Sequence, residues 1–326
     1  MINRTTVALV SRLASMVAFA LPLAAAAQGC VAAADDGTRS EATAGPMGVT
    51  RKTTSSDGDG SDGTVDSAAG KGTTASKKML KYYGGKVIPN VEVIAVNWSS
   101  KVPTTLSSRI GGFYTAVTNS AYFDMLSEYS TVGLKGTDGK AGSNQSIGRG
   151  TFYGSVTITP KNTKTALTDA DIQTELKGQI ASGALPPPNA NRIYMIDFPH
   201  GTTIDQGGSM SCVDFCAYHG TTTISGQSVP YGVMPDMSAG SGCESGCGGN
   251  ADGFNNATSV HSHELVEAVT DMEVGIGTTV GRPLAWYNTT SGEIGDICNA
   301  QQATMAGYTV QKEWSNSQAK CAASAP

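Results

Sequence analysis

His261-Ser262-His263-Glu264-Leu265-Val266-Glu267-Ala268-Val269-Thr270-Asp271 is the stretch on which the reading of this chain turns. Its pattern predicts a helix. Leu265, Ala268 and Val269 fall on one side, while His263 and Glu267, four residues apart, stand one above the other on another side. Asp271 continues that row, and Glu264 sits about 100° round from His263. An imidazole, a carboxylate one turn on and a second carboxylate beside them make the layout of a zinc-hydrolase helix. In that layout His263 and Glu267 bind the metal, and Glu264 takes a proton from the water that the metal activates. The common form is H-E-x-x-H. Here Glu267 replaces the second histidine, and a carboxylate oxygen binds zinc at a similar distance. The competing reading is an ordinary helix whose acids are solvated.

Around this stretch the chain has 326 residues, a net charge of −5, 40 glycines and no basic patch, which excludes nucleic acid as an expected partner. Arg4 and Arg12 precede an apolar, alanine-rich run from Leu13 to Ala27, so residues 1–29 read as a secretory signal peptide, too short to span a membrane. Cys30 follows as in a lipoprotein signal. Attachment of the chain to an outer membrane by a lipid on Cys30 and free secretion are both open. Residues 30–76 are rich in Ala, Asp, Gly, Ser and Thr and predict a disordered tether or a cleaved pro-segment.

Residues 77–326 read as one α+β domain. Strands are expected at Val91–Trp98, within Ser146–Thr159, at Arg192–Phe198 and at Val229–Met234. Helical spacing joins Leu106, Ile110, Phe113, Tyr114 and Val117, a short helix is expected around Tyr122–Tyr129, and Thr168-Asp169-Ala170-Asp171 opens another helix. From His200 onward the texture turns to Gly, Ser and Cys. Six of the seven cysteines lie there: Cys212, Cys216, Cys243, Cys247, Cys298 and Cys321. In an exported protein they predict three disulfides. The two C-x3-C spacings suggest local staples, with Cys298 joined to Cys321. A structural zinc site on the two pairs is the alternative.

Phe215-Cys216 with His219, His263-Glu264-Leu265-Val266-Glu267, Ala285-Trp286-Tyr287 and Glu293-Ile294-Gly295-Asp296-Ile297-Cys298 together resemble the plant phosphate-induced protein/EXORDIUM family and its secreted bacterial branch. The resemblance covers about residues 80–321. It implies a secreted, disulfide-bonded, wall-associated protein and supplies no reaction. The helix motif is also similar to that of gluzincins, where a downstream glutamate is the third ligand and a following aspartate supports the first histidine. That likeness implies Glu293 as ligand and Asp296 as support for His263, with Asp296 or Asp271 as alternative ligands. His219 and Tyr287 are candidates for stabilising an oxyanion.

The expectation is a single zincin-like domain with a mixed sheet, an active-site helix and a disulfide-held, loop-rich C-terminal part. Its metal set would be His263, Glu267, Glu293 and Asp296, its catalytic set Glu264, Tyr287 and His219, and its cofactor one Zn²⁺. The expected activity is metallopeptidase action on a peptide or protein. The alternative is a non-catalytic protein with a structural metal site that binds a wall or surface polymer. The sequence does not define an oligomeric state.

Overall fold

The computed structural model describes residues 48–51, 78–277 and 279–326. The expected signal peptide, Cys30 and most of the expected tether lie outside these residues. The principal strands are β1 (Gly48–Arg51), β2 (Glu92–Asn97), β3 (Thr151–Thr157), β4 (Arg192–Asp197), β5 (Phe215–Ile224) and β6 (Gln227–Met234). The principal helices are α1 (Ile110–Thr118), α2 (Asp169–Ala181) and α3 (Gly253–Thr270). The strands form one mixed sheet in the order β1-β5-β6-β4-β2-β3. β6, β4, β2 and β3 run parallel, β5 adds antiparallel to β6 at one edge, and β1 adds antiparallel to β5 outside it. The fold class is therefore α+β with a mixed sheet.

Period-two alternation divides the sheet between two apolar layers. Val93, Ala95, Ile193, Met195 and Ala217 join the layer that contains Phe113, Leu265 and Val269. Ile94, Val96, Tyr194, Ile196 and Tyr218 join the layer that contains Ile172 and Leu176. Thus α1 and α3 cover one face, and α2 covers the other. Helix α2 starts at the expected capping box: Thr168 accepts from the Asp171 amide, and Asp171 accepts from the Thr168 amide. The 104–117 periodicity is broken into a turn, Thr104–Ser107, followed by α1.

Three features depart from the sequence reading. Residues 48–51 form β1 within a stretch whose composition predicts no structure. β5 occupies a region expected to be loop, and it pairs with β6 through the two-residue turn Ser225-Gly226, both residues at positive φ. The close C-x3-C pairs are not local staples. Cys212 joins Cys243 and Cys216 joins Cys247, while Cys298 joins Cys321 as expected. Cys216 lies in the extended run of β5, where side chains four residues apart are too distant to bridge, so each cysteine crosses to the loop before α3. All six domain cysteines are thereby consumed, leaving none for a zinc site. Three disulfides point to an oxidising environment. Among the described residues no helix is long and apolar enough to cross a membrane.

Candidate metal centre

Helix α3 starts where Asp252 accepts a hydrogen bond from the Phe254 amide. The helix is hemmed in on every side: by β5, β6 and β1, by α1, and by the 302–311 hairpin. Residues 256–270 are all buried, so the helix has no solvated acidic face. His263, Glu264 and Glu267 are each 0 % exposed. Burying isolated carboxylates costs far more than the fold can supply unless they are protonated or paired. The partners of these groups therefore decide what the helix does.

His219 comes from β5. Alternation puts it and Ala217 on the α3 face and Tyr218 on the other. Its Nδ1 lies 3.1 Å from Glu264 Oε2 and 3.5 Å from Glu267 Oε2, and its Nε2 lies 3.5 Å from Glu293 Oε1. His263 Nε2 lies 3.0 Å from Glu267 Oε1 and 3.9 Å from Asp296 Oδ1. Two groups of potential ligand atoms result, each confined within 4.8 Å: His219, Glu267 and Glu293, and His263, Glu267 and Asp296. Glu267 belongs to both.

The turn from Glu293 to Asp296 folds over α3 and donates twice to Glu267 Oε1, from the Gly295 and Asp296 amides. One Glu267 oxygen is thereby fixed, and Oε2 has no hydrogen-bond partner. Asp296 Oδ2 accepts from the Glu293 amide and shapes the turn. Gly295 is required by space: a Cβ there would stand 2.8 Å from His263 Nδ1 and 2.9 Å from Glu267 Oε1. His219 Nε2, Glu293 Oε1, His263 Nε2 and Asp271 Oδ2 are likewise buried without hydrogen-bond partners.

The two histidines present different faces to this cluster. Gln311 donates through Nε2 to the Gly295 carbonyl and accepts through Oε1 from the Ala300 amide. Its Nε2 also meets His263 Nδ1 at 2.7 Å, so Nδ1 is the acceptor. Neutral His263 then carries its proton on Nε2, facing Glu267. Gln311, rather than the expected Asp296, thus meets the outer nitrogen of His263. His219 is the reverse. Its Nδ1 donates to the Glu264 carboxylate, which leaves the lone pair of the neutral ring on Nε2, toward Glu293.

Electrostatics follow from the burial. Burial, then Asp296, Glu293 and Glu264, hold the Glu267 pKa well above the usual carboxylate range. Burial and Glu293 do the same for Asp271, whose Oδ1 accepts from the Ala285 amide. Burial raises Asp296 to about 6 and Glu313 to about 8. Burial disfavours a charge on His219, but Glu293, Glu264 and Glu267 outweigh it, so its pKa stands well above the ordinary histidine value. Nε2 of His219 faces Glu293 Oε1 at 3.5 Å, and neither atom has a hydrogen-bond partner.

Of the residues singled out in the sequence, Glu264, Glu267, His263, Glu293, Asp296 and His219 meet in this one cluster. Tyr287 stands at its half-buried margin, where burial and then Glu293, Asp296, Glu267 and Asp271 raise its phenol. His261 is apart: its Nδ1 meets Tyr114 Oη at 2.6 Å, and its Nε2 meets Asp197 Oδ1 at 3.1 Å. The sequence patterns do not point to Gln311. No local motif marks it, because it reaches the site only through the C-terminal hairpin. No protein-family model matches the chain, and no curated protein or solved structure matches it.

Proposed function

We propose that this chain is a zinc-dependent hydrolase of peptides whose ion is held by His219, Glu267 and Glu293. One observation carries the reading: His219, Glu267 and Glu293, all buried, each bring a ligand-type atom within 4.8 Å of the others, and each keeps one polar atom, His219 Nε2, Glu267 Oε2 and Glu293 Oε1, without a hydrogen-bond partner. One nitrogen and two carboxylate oxygens suit a divalent transition metal, zinc among them. Such an ion supplies Lewis acidity, which makes water nucleophilic near neutral pH and polarises a carbonyl.

The remaining residues have separate tasks. Glu264 fixes the His219 tautomer by accepting from Nδ1. The Gly295 and Asp296 amides hold Glu267 with Oε2 inward. Asp296 has 24 % of its side chain exposed, so it is the cluster carboxylate that reaches solvent and the one placed to move a proton. Tyr287 keeps its phenolic proton and can donate to a substrate carbonyl oxygen. A helix lying beneath the edge strands of a mixed sheet, with a downstream acidic turn closing over it, supports a zincin-like architecture.

A second reading, a structural metal in a non-catalytic surface-binding protein, is favoured by one observation. His219, Glu264, Glu267 and Glu293 are at most 2 % exposed, and closed sites are the structural kind. Elemental mass spectrometry of the purified protein, with cleavage of a peptide library, separates the two. The hydrolase reading expects about one zinc per chain, lost in His219→Ala. Asp296→Asn should keep the metal and lose cleavage by at least ~100-fold, the scale of general acid–base catalysis. Glu264→Gln should weaken metal binding by about 10–100-fold, as loss of a ligand's supporting carboxylate does. Zinc without any cleavage would leave the structural reading, and no zinc in any form would sink both.

A further inference from the structure

The outermost strand of the sheet comes from the N-terminal side of the chain and lies beside the metal cluster. β1 pairs antiparallel with β5: Gly48 lies opposite His219, Val49 opposite Tyr218, Thr50 opposite Ala217 and Arg51 opposite Phe215, with a register slip between Thr50 and Arg51. Cα atoms of β1 also come within 8 Å of those of α3 and of the Asp296–Cys298 turn. The strand therefore lies in a slot bounded by β5, the metal-bearing helix and the turn that carries Asp296. Gly48 brings no side chain against the proposed ligand His219.

β1 is four residues long, and the stretch that leads into it and away from it is poor in large apolar residues. Without β1, β5 would expose a row of backbone N–H and C=O groups. Such an edge takes an extended peptide by strand addition: main-chain hydrogen bonds give affinity, and alternate side chains give selectivity. Here the edge runs past the cluster, so an added peptide would bring its backbone alongside His219 and the Asp296–Cys298 turn.

We infer that the outer edge of β5 is a docking edge for extended peptides and that residues 48–51 occupy it in cis as a displaceable strand. The ligand is an unfolded peptide segment that runs antiparallel to β5, with a small residue opposite His219. Cleavage of that ligand rests on the hydrolase reading; its docking does not. A tethered strand competes at an effective concentration on the order of millimolar, which keeps micromolar peptide from entering.

The test uses the full chain and a Val49→Pro/Thr50→Pro variant, which removes two backbone donors from β1. A second form carries a specific protease site within residues 52–77 and is nicked after folding, so that its sheet forms with the native sequence in place. The probe is a fluorescently labelled peptide of residues 44–53, followed by anisotropy, with hydrogen exchange at the amides of 215–219. The expected result is binding at least about tenfold tighter in the proline variant and the nicked form than in the intact chain. Those amides should exchange faster in the proline variant and be protected again when peptide is added. Equal affinity in all three forms, or no binding to any, with unchanged exchange, overturns the inference. A separate cleavage assay keeps the two ideas apart. Tighter binding without cleavage sinks the hydrolase and leaves the docking edge; equal cleavage by all forms, with equal binding, sinks the docking edge and leaves the hydrolase.

Discussion

At the scale of single residues the centre depends on close approach. Gly295 lets the 293–296 turn sit on α3 near enough for two amides to reach one oxygen of Glu267. A methyl group at Gly295 would lie 2.8 Å from His263 and 2.9 Å from Glu267, and those side chains are held by packing on all sides. Gly295→Ala is therefore expected to push the turn outward and release Glu267. Zinc affinity, measured by competition with a chromophoric chelator, should fall at least ~10-fold, as when a ligand's supporting hydrogen bonds are lost. Unchanged affinity would show that the turn does not position the ligand. Much at this scale was legible in the sequence. The spacing of His263, Glu264 and Glu267, and the acids of E-I-G-D, point to most of the residues that the fold brings together. What spacing could not convey was which histidine meets the cluster with a lone pair. That depends on Gln311 and Glu264 as partners of the two outer nitrogens, and Gln311 is brought in by tertiary structure alone.

At the scale of elements the determining pair is β5 and α3, one carrying His219 and the other Glu264 and Glu267. Composition reads the β5 region as loop because glycine and cysteine surround it. Its signal was nonetheless present: Phe215 to Ile224 is rich in aromatic and β-branched residues, and Ser225-Gly226 before Gln227–Met234 is a hairpin turn. The cysteines were legible as three disulfides but not as a ladder, since connectivity depends on where the loop before α3 returns. That ladder, Cys212–Cys243 and Cys216–Cys247, ties the start of β5 to the loop that enters α3. Each bond closes a segment of sequence separation 31, for which chain entropy gives about 3–4 kcal/mol. The second bond adds less, because the first already closes most of the same loop. Cys216→Ala/Cys247→Ala is expected to cost roughly 2 kcal/mol and to lower Tm by about 5 °C. The same double variant should weaken zinc binding, because His219 loses its fixed distance from α3. A drop in Tm with zinc affinity intact would confine the ladder to stability.

At the scale of the whole molecule the fold buries more acid than base around α3, and this sets its response to pH. Glu267, Asp271, Asp296 and Glu313 all have folded pKa values above their unfolded ones, and so does His219. Each group therefore binds protons more tightly in the folded chain. A raised acid contributes its stabilising proton fully below its unfolded pKa and loses it as pH climbs through the folded pKa; a raised histidine behaves the same way. The signs agree, so stability without a divalent ion should fall as pH rises from about 4.5 through 8, the span set by the ordinary glutamate value and the value of about 8 for Glu313. A divalent cation takes the place of those protons and binds best when they have left. Zinc should accordingly raise Tm little at pH 5 and by several degrees at pH 8, so that the holoprotein has a flatter profile. Calorimetry of the chelator-treated and zinc-loaded protein at both pH values gives the comparison. If the chelator-treated protein grows more stable between pH 5 and pH 8, the buried carboxyls are not held protonated by the fold. A zinc effect of the same size at both pH values would mean that the ion binds away from His219, Glu267 and Glu293.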